Sequence, residues 1–164
     1  MPPSLKGSTT ATIAILDGDL LRVANLGDSR VLALRHIDGL WNIVLKTREQ
    51  QHYFNCPYQL GTGSPDRPAH AELSAVRVQE GDVLVITTDG VHDNLFDADV
   101  VRCLVGTDVA AAAKCIAMAA YAASKNHSVL TPFSVNSGAE GYVYHGGKPD
   151  DITCLVAIVT HGGP

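Results

Sequence analysis

Residues 83–90 read Val-Leu-Val-Ile-Thr-Thr-Asp-Gly, a short apolar run that ends in an acidic residue followed by glycine. Near the carboxyl end, residues 146–151 read Gly-Gly-Lys-Pro-Asp-Asp and lead into the apolar run 152–156. Short apolar runs bounded by turn formers are typical of buried strands. Carboxylates at strand ends, beside glycines that let the backbone come close, are what a hard divalent cation needs from a protein. The two stretches therefore predict a metal site.

The composition is that of one globular domain, assigned to residues 1–164. The chain has 164 residues, 46% of them apolar, and a net charge of -5 with a sequence pI near 5.7. Its dispersed Lys and Arg give no electrostatic footprint for nucleic acid or anionic lipid. The longest apolar stretch, 109–123, is rich in alanine and contains Lys114, so it is too short and too weakly hydrophobic to span a bilayer. Neither nucleic acid nor membrane is an expected partner.

The cysteines indicate an intracellular protein. Cys56, Cys103, Cys115 and Cys154 show no Cys-x-x-Cys spacing and are too few for a small secreted scaffold. We expect four reduced thiols with structural roles. Residues 1–4 match no signal or organelle-targeting segment.

The first half of the chain predicts a β-meander over residues 8–45. Its expected strands are 10–16, 20–26, 31–35 and 41–45. Asp17-Gly18 and Asp38-Gly39 separate the members of each pair, and Asp-Gly between β-prone runs is a strong hairpin signal because glycine accepts positive φ.

The second half predicts one more strand pair, two helices and a closing strand. Residues 46–71 have no clear period and are expected to cross the surface without regular elements. Strands 75–78 and 83–88 are expected to form a hairpin whose second strand is central in a sheet. Asp97 is expected to cap a short helix to about residue 104, and Thr107 or Asp108 a longer one to about residue 126. The small-residue face of that helix is Ala110, Ala113, Ile116, Ala117 and Ala120. Residues 131–148 are expected to be a loop, and 152–160 the last strand.

Four motifs then resemble one family in the family's own order. They are Gly7-Ser8-Thr9-Thr10, Asn25-Leu26-Gly27-Asp28-Ser29-Arg30, the run 87–94 (Thr-Thr-Asp-Gly-Val-His-Asp-Asn) and the run 146–153 (Gly-Gly-Lys-Pro-Asp-Asp-Ile-Thr). The chain resembles the metal-dependent protein phosphatase 2C family of serine/threonine phosphatases. The resemblance implies an α+β fold, an α-β-β-α sandwich of two antiparallel sheets flanked by helices. Residues 49–60 and Thr131-Pro132-Phe133 further resemble the T-cell activation branch, which implies a mitochondrial location.

The resemblance also implies the site. Asp89 and Asp150 match metal-ligand aspartates of a binuclear Mn²⁺ or Mg²⁺ centre, and Asp28 matches an aspartate of an additional, weaker metal. Gly90 would let backbone pass beside the ion, and Asp151 would support a ligand from outside the coordination sphere. Asp93 and Asn94 are expected to cap local backbone, and His92 to be a packed or edge-exposed ring. Two bare carboxylates about 4 Å apart repel by roughly 4 kcal/mol at an effective dielectric near 20, so such a cluster needs a cation or a proton.

The implied reaction is hydrolysis of a phosphoserine or phosphothreonine protein by a water that two metal ions activate. The family also uses an upstream Asp-Gly aspartate that bridges both ions, a phosphate-binding arginine and a general-acid histidine. Only six residues precede Gly7 here. We therefore expect weak binding of one ion and little turnover by this chain alone, together with an exposed sheet edge that permits self-association.

Two alternatives remain open at this point. The first is a truncated, non-catalytic phosphatase fold that acts as a binding or regulatory module. The second is another metallohydrolase or a calcium-binding β-sandwich, which predicts ligands spaced as x-Asp-x-Asp in one loop.

Overall fold

A computed structural model describes residues 6–106 and 108–160, and the strands of these residues form two larger and two small sheets. The strands are β1 (Ser8–Thr9), β2 (Ala11–Asp17), β3 (Leu20–Leu26), β4 (Arg30–Ile37), β5 (Leu40–Lys46), β6 (Gln51–Tyr53), β7 (Cys56–Pro57), β8 (Leu60–Gly61), β9 (Glu72–Arg77), β10 (Val83–Thr87) and β11 (Cys154–Ile158). The helices are α1 (Asp89–His92), α2 (Asp97–Arg102), α3 (Val109–Ser124) and α4 (Pro132–Ala139), with a 3-10 turn at Pro68–His70. The expectations for residues 1–4 and for Thr107 as a cap lie outside the described residues.

The two early hairpins form as predicted, but they do not form one meander. Asp38 and Gly39 have φ of 51° and 84°, the positive values that a tight hairpin turn requires. However, β2 and β3 belong to a sheet of order β2-β3-β9, whereas β4 and β5 belong to one of order β11-β10-β4-β5. The expected meander is therefore wrong: the chain changes sheet at residues 27–29, where Gly27 has φ of 107°. Asp28 lies at this crossover.

The expected hairpin of β9 and β10 is also wrong, because the two strands belong to different sheets. β9 pairs with β3, and β10 lies between β4 and β11. Residues 78–82 carry the chain from one sheet to the other. The central position predicted for β10 is confirmed.

Alternation along β4 explains how the layers stack. Val31 and Ala33 face a core shared with the three-stranded sheet, including Leu21 and Val23. Leu32 and Leu34 point the other way, into a core shared with the helices. Successive strand residues face opposite sides, so one strand serves both cores. In the described part of the chain the layers run three-stranded sheet, four-stranded sheet, helices.

The helices differ in part from expectation. Asp108 caps α3 as predicted, accepting a hydrogen bond from the Ala111 amide at 2.9 Å. The buried face of α3 contains Ile116 and Ala120 as predicted, but Ala112 and Ser124 complete it, and Ala110 is exposed. Phe96 rather than Asp97 is the N-cap of α2. Residues 131–148 are not all loop, because α4 begins after the Thr131 cap, whose hydroxyl accepts from the Ser134 amide at 3.2 Å.

Two further expectations are corrected. Residues 46–71 do contain elements, the short strands β6, β7 and β8 and the 3-10 turn. Cys103 and Cys115 form a disulfide between the end of α2 and α3, so the prediction of four reduced thiols is wrong for that pair, while Cys56 and Cys154 are free. The bond joins two helices of the same layer.

One edge of the three-stranded sheet is β2, whose partner among the described residues is β3. Its side chains Ile13 and Ile15 are 57% and 58% exposed. Self-association through this edge stays a prediction. None of the helices in residues 6–106 and 108–160 is long and apolar enough to cross a membrane.

Candidate metal centre

The candidate centre lies where β10 and β11 meet the helical layer. β10 is followed by a single helical turn, α1, which begins at Asp89 and has Asp93 at its C-cap. Residues four apart lie on the same helix face, so both carboxylates point the same way. Asp150 precedes β11, which pairs with β10 so that Thr87 lies opposite Cys154. The antiparallel pairing thus brings the segment around Asp150 to α1.

Three aspartates converge there. One carboxylate oxygen of each of Asp89, Asp93 and Asp150 lies within 4.8 Å of the others. The structure therefore brings together Asp89 and Asp150, the two strand-end residues that the sequence pairs, and adds Asp93. The capping role expected for Asp93 missed this contribution, although its spacing of four from Asp89 was a signal.

A lysine ammonium group contacts all three carboxylates. Lys148 Nζ lies 2.7 Å from Asp93 Oδ2 and 3.1 Å from both Asp89 Oδ2 and Asp150 Oδ2. Its side chain is only 15% exposed. No local feature of the sequence singles out this lysine, because its position is set by contacts with residues distant in the chain.

Gly90 and Asn94 hold α1 against the segment that carries Asp150. A Cβ atom on Gly90 would lie 2.3 Å from the Asp151 carbonyl oxygen, so only glycine allows this approach. The buried Asn94 side chain donates to the carbonyls of Gly90 and Lys148 at 2.9 and 2.8 Å. Gly90 thus allows close backbone packing. That this packing lies beside a metal ion stays a prediction.

Asp151 contributes through its backbone. Its amide donates to Asp150 Oδ1 at 2.9 Å, and its carbonyl accepts from the Thr88 hydroxyl at 3.1 Å. The residue itself is exposed. These bonds fix the orientation of the Asp150 carboxylate.

Asp28 lies beside the three-aspartate group rather than within it. It is 8% exposed and lines a cavity of about 320 Å³ together with Glu49 and Asp93. Burial, and next the nearby Asp89 carboxylate, raise the pKa of Asp28 to about 6. Its role at an additional, weaker metal stays a prediction.

The electrostatics of the group are those of an acidic site with one cation. Burial raises the pKa of Asp93 to about 6, even though the Lys148 ammonium opposes that shift. Desolvation alone would lower the pKa of Lys148, but its bond to Asp93 and the other carboxylates raise it above its ordinary value. For Asp150 desolvation is outweighed by the Asp151 amide and by Lys148, so its pKa is lowered.

A partly buried pair next to the cavity involves Arg30 and Glu49. The Arg30 guanidinium bonds the Glu49 carboxylate, and its side chain is 13% exposed. His92 is 3% exposed, as expected for a packed ring, and its Nε2 lies 3.8 Å from Glu49 Oε1. Burial, and next the Arg30 charge, hold the pKa of His92 well below its ordinary value.

Aromatic rings form one wall of the cavity. Phe54 lies 5.1 Å from Phe133 and 5.4 Å from Tyr142, measured between ring centroids. Phe54 comes from the segment 49–60 and Phe133 from the Thr-Pro-Phe motif, two stretches that the sequence analysis noted separately. The fold places them together beside Asp93.

The donor set fits a hard divalent cation. The three aspartates offer only carboxylate oxygens, which suit Mg²⁺ or Mn²⁺ better than zinc. A positively charged group already lies among them, so the geometry accepts a cation at this position.

The comparisons with known proteins agree with this fold. Residues 4–126 match the family described as protein phosphatase 2C. The protein phosphatase PTC7 homologs of Homo sapiens and Danio rerio are 36% and 37% identical to the chain over 171 residues, covering 94% of it. The chain belongs to the protein phosphatase 2C family. It spans about 55% of the length of the human relative.

Solved structures show the same fold. The photosystem II phosphatase PBCP superposes with a TM-score of 0.86 at 31% identity, covering 94% of this chain and 65% of that one. The catalytic domain of PstP in complex with two manganese ions superposes with a TM-score of 0.65 at 22% identity, covering 98% of this chain and 63% of that one. The second likeness supports the fold alone.

Proposed function

We propose that the chain forms part of the catalytic domain of a metal-dependent protein serine/threonine phosphatase whose substrates are phosphoserine or phosphothreonine proteins. The observation that carries this proposal is the convergence of Asp89, Asp93 and Asp150 around a cationic position beside an open polar cavity. Family membership supplies the reaction class.

In this proposal Asp89 and Asp150 hold Mn²⁺ or Mg²⁺, and Asp93 contributes directly or through water. Asp28 faces the same cavity and serves an additional, weaker metal beyond the binuclear pair. When bound, such ions lower the pKa of water and neutralise charge on phosphoryl oxygens. The chain's own residues fix the positions of the carboxylates. Gly90 permits the close approach of the backbone at residue 151, and Asn94 holds α1 to the Lys148 segment through a hydrogen bond. The Asp151 amide orients the Asp150 carboxylate.

The cavity defines where the substrate would lie. Asp28, Glu49 and Asp93 line its acidic side, and Phe54 and Phe133 its aromatic side. A phosphoryl group would reach the carboxylates only when a cation offsets their charge, because anions repel at this distance. Activity should therefore depend strictly on added divalent ion.

A second candidate is a non-catalytic module with the phosphatase fold. Lys148 favours it, because an internal ammonium already offsets part of the carboxylate charge without any metal. The two candidates differ in whether the site gains turnover when the family's upstream Asp-Gly segment is supplied.

The test measures phosphate release from a phosphothreonine peptide by the chain fused to the upstream segment of the human PTC7 homolog. We expect turnover only with added Mn²⁺ or Mg²⁺, and loss of turnover in Asp89→Asn and in Asp150→Asn. Asp38→Asn is the matched control, because it changes the same group in an exposed turn and is not one of the three converging aspartates. Unchanged turnover in both site variants would contradict the proposal.

A further inference from the structure

The most specific unexplained feature of the site is the ammonium group at its centre. A primary ammonium has three N–H donors, and Lys148 lies within hydrogen-bond distance of one oxygen from each of the three aspartates. A single side chain thus engages the whole carboxylate group.

The lysine is held in place at both ends. Asn94 accepts from the Lys148 amide at 2.9 Å and donates to its carbonyl at 2.8 Å, which fixes the backbone. The ammonium also lies 5.0 Å from the centre of the Phe133 ring. This is a built arrangement and not a surface lysine that happens to meet an acid.

The ammonium and a divalent ion require the same oxygens. Mg²⁺ takes oxygen ligands at about 2.0–2.1 Å and needs them directed at its own centre. An ammonium bonded to the same three oxygens must move away before that happens, and two cations side by side would repel.

We propose that Lys148 is an internal counter-cation that keeps the three aspartates assembled without metal and that a divalent ion must displace in order to bind. The inference concerns the same carboxylates as the proposed function and rests on it only for the use of that ion. The exchange transfers no proton and breaks no covalent bond. The divalent ion enters, and the ammonium withdraws in its protonated form towards the cavity. Lys148 is thus a positioning residue that sets the metal concentration at which the site fills.

The test compares Mn²⁺ binding and thermal unfolding of the 164-residue chain and its variants. Lys148→Met removes the charge and keeps an unbranched apolar stem, and Lys148→Gln is a second, polar replacement. Lys125→Met is the matched control, because Lys125 is exposed and lies over the Tyr121 ring, away from the site. Binding is measured by the electron paramagnetic resonance signal of free Mn²⁺, and unfolding in the presence of a chelator.

We expect both Lys148 variants to bind Mn²⁺ roughly ten-fold or more tightly than the unaltered chain, and to unfold at lower temperature in chelator, where three carboxylates repel without a counter-charge. Lys125→Met should change neither quantity. Equal or weaker Mn²⁺ binding by both Lys148 variants, including no detectable binding by any form, overturns the inference. So does an unchanged unfolding temperature in chelator.

The Mn²⁺ affinity of the Lys148 variants tests the counter-cation role independently of phosphatase activity. Tighter Mn²⁺ binding by the Lys148 variants supports the counter-cation role even if no fused form of the chain hydrolyses a phosphopeptide. Conversely, turnover that depends on Asp89 and Asp150, with unaltered Mn²⁺ affinity in the Lys148 variants, keeps the phosphatase and overturns the counter-cation.

Discussion

The side chain of Asn94 bonds the backbone of Lys148 on both sides, donating to its carbonyl at 2.8 Å and accepting from its amide at 2.9 Å. Asn94 is itself 3% exposed and also donates to the Gly90 carbonyl. One amide group therefore connects α1, which carries two of the aspartates, to the segment that carries the third.

Replacing Asn94 should separate the two halves of the site. Asn94→Ala leaves partly buried backbone groups of Lys148 without partners, and each such loss costs about 1–3 kcal/mol. We expect the free energy of unfolding in urea to fall by about 2–4 kcal/mol. Asn42→Ala is the control, because Asn42 is exposed and bonds only a nearby carbonyl. Equal stability of the two variants would show that the Asn94 side chain does not hold α1 to the Lys148 segment.

Gly90 offers a steric test of the same contact. Gly90→Ala places a methyl group 2.3 Å from the Asp151 carbonyl oxygen, so the segment 150–151 must move away from α1. We expect a loss of stability, because backbone rather than a flexible side chain has to shift, and weaker Mn²⁺ binding. Both are measured by thermal unfolding and by titration with Mn²⁺.

The control for that variant is Gly138→Ala. Gly138 lies within α4 with open space around its Cβ position, and alanine favours helix by up to about 1 kcal/mol over glycine. Gly138→Ala should therefore be neutral or stabilising. A similar loss from both substitutions would show that the approach of residue 151 is not what requires glycine at position 90.

Much of the site could be predicted from local sequence. The apolar run ending at Asp89 and the glycine-rich approach to Asp150 are signals within a few residues, and both carboxylates lie together in the structure. Asp93 was missed because α1 is a single turn, too short to show a periodic pattern, although the spacing of four was present. Lys148 could not have been chosen, because its role comes from contacts more than fifty positions away along the chain.

The fold shows the same division between local and distant information. The Asp38-Gly39 turn and the β10 run are local features and appear as predicted. Which strands share a sheet is not local, since both corrected pairings arise where the chain crosses between sheets, at residues 27–29 and 78–82. Helix α4 was missed because Ser, Asn and Gly favour turns over helix, and the cap at Thr131 and the proline after it outweigh them.

The buried carboxyl group of Asp28 should make the free energy of unfolding of the metal-free chain depend on pH. Its pKa in the folded state is about 6, above the ordinary value of 3.8, so folding favours the protonated form. The stability from that form is complete below pH 4 and is lost as the pH rises through 6. Asp28→Asn should therefore raise the free energy of unfolding at pH 7.5, by up to about 3 kcal/mol, with the gain disappearing towards pH 4.

The measurement is urea unfolding in chelator from pH 4 to pH 8, with the difference between variant and unaltered chain plotted against pH. Asp38→Asn, in an exposed turn, is the control with which the Asp28→Asn curve is compared. A stability difference for Asp28→Asn that does not change with pH would show that the buried carboxylate is not desolvated as the structure places it.

The last prediction concerns the disulfide between Cys103 and Cys115. Cys103 is 8% exposed at the end of α2, and Cys115 lies on the exposed side of α3, with a sequence separation of 12. Closing a loop of this size restricts the unfolded chain and stabilises the fold by about 2–3 kcal/mol. Cys115→Ala removes the bond without opening the core, so it should lower the unfolding temperature and abolish any further effect of reductant. The unaltered chain and Cys56→Ala should both lose stability on reduction, because each retains the bond. Titration of four accessible thiols in the unfolded, unreduced chain, rather than the two of Cys56 and Cys154, would contradict the pairing.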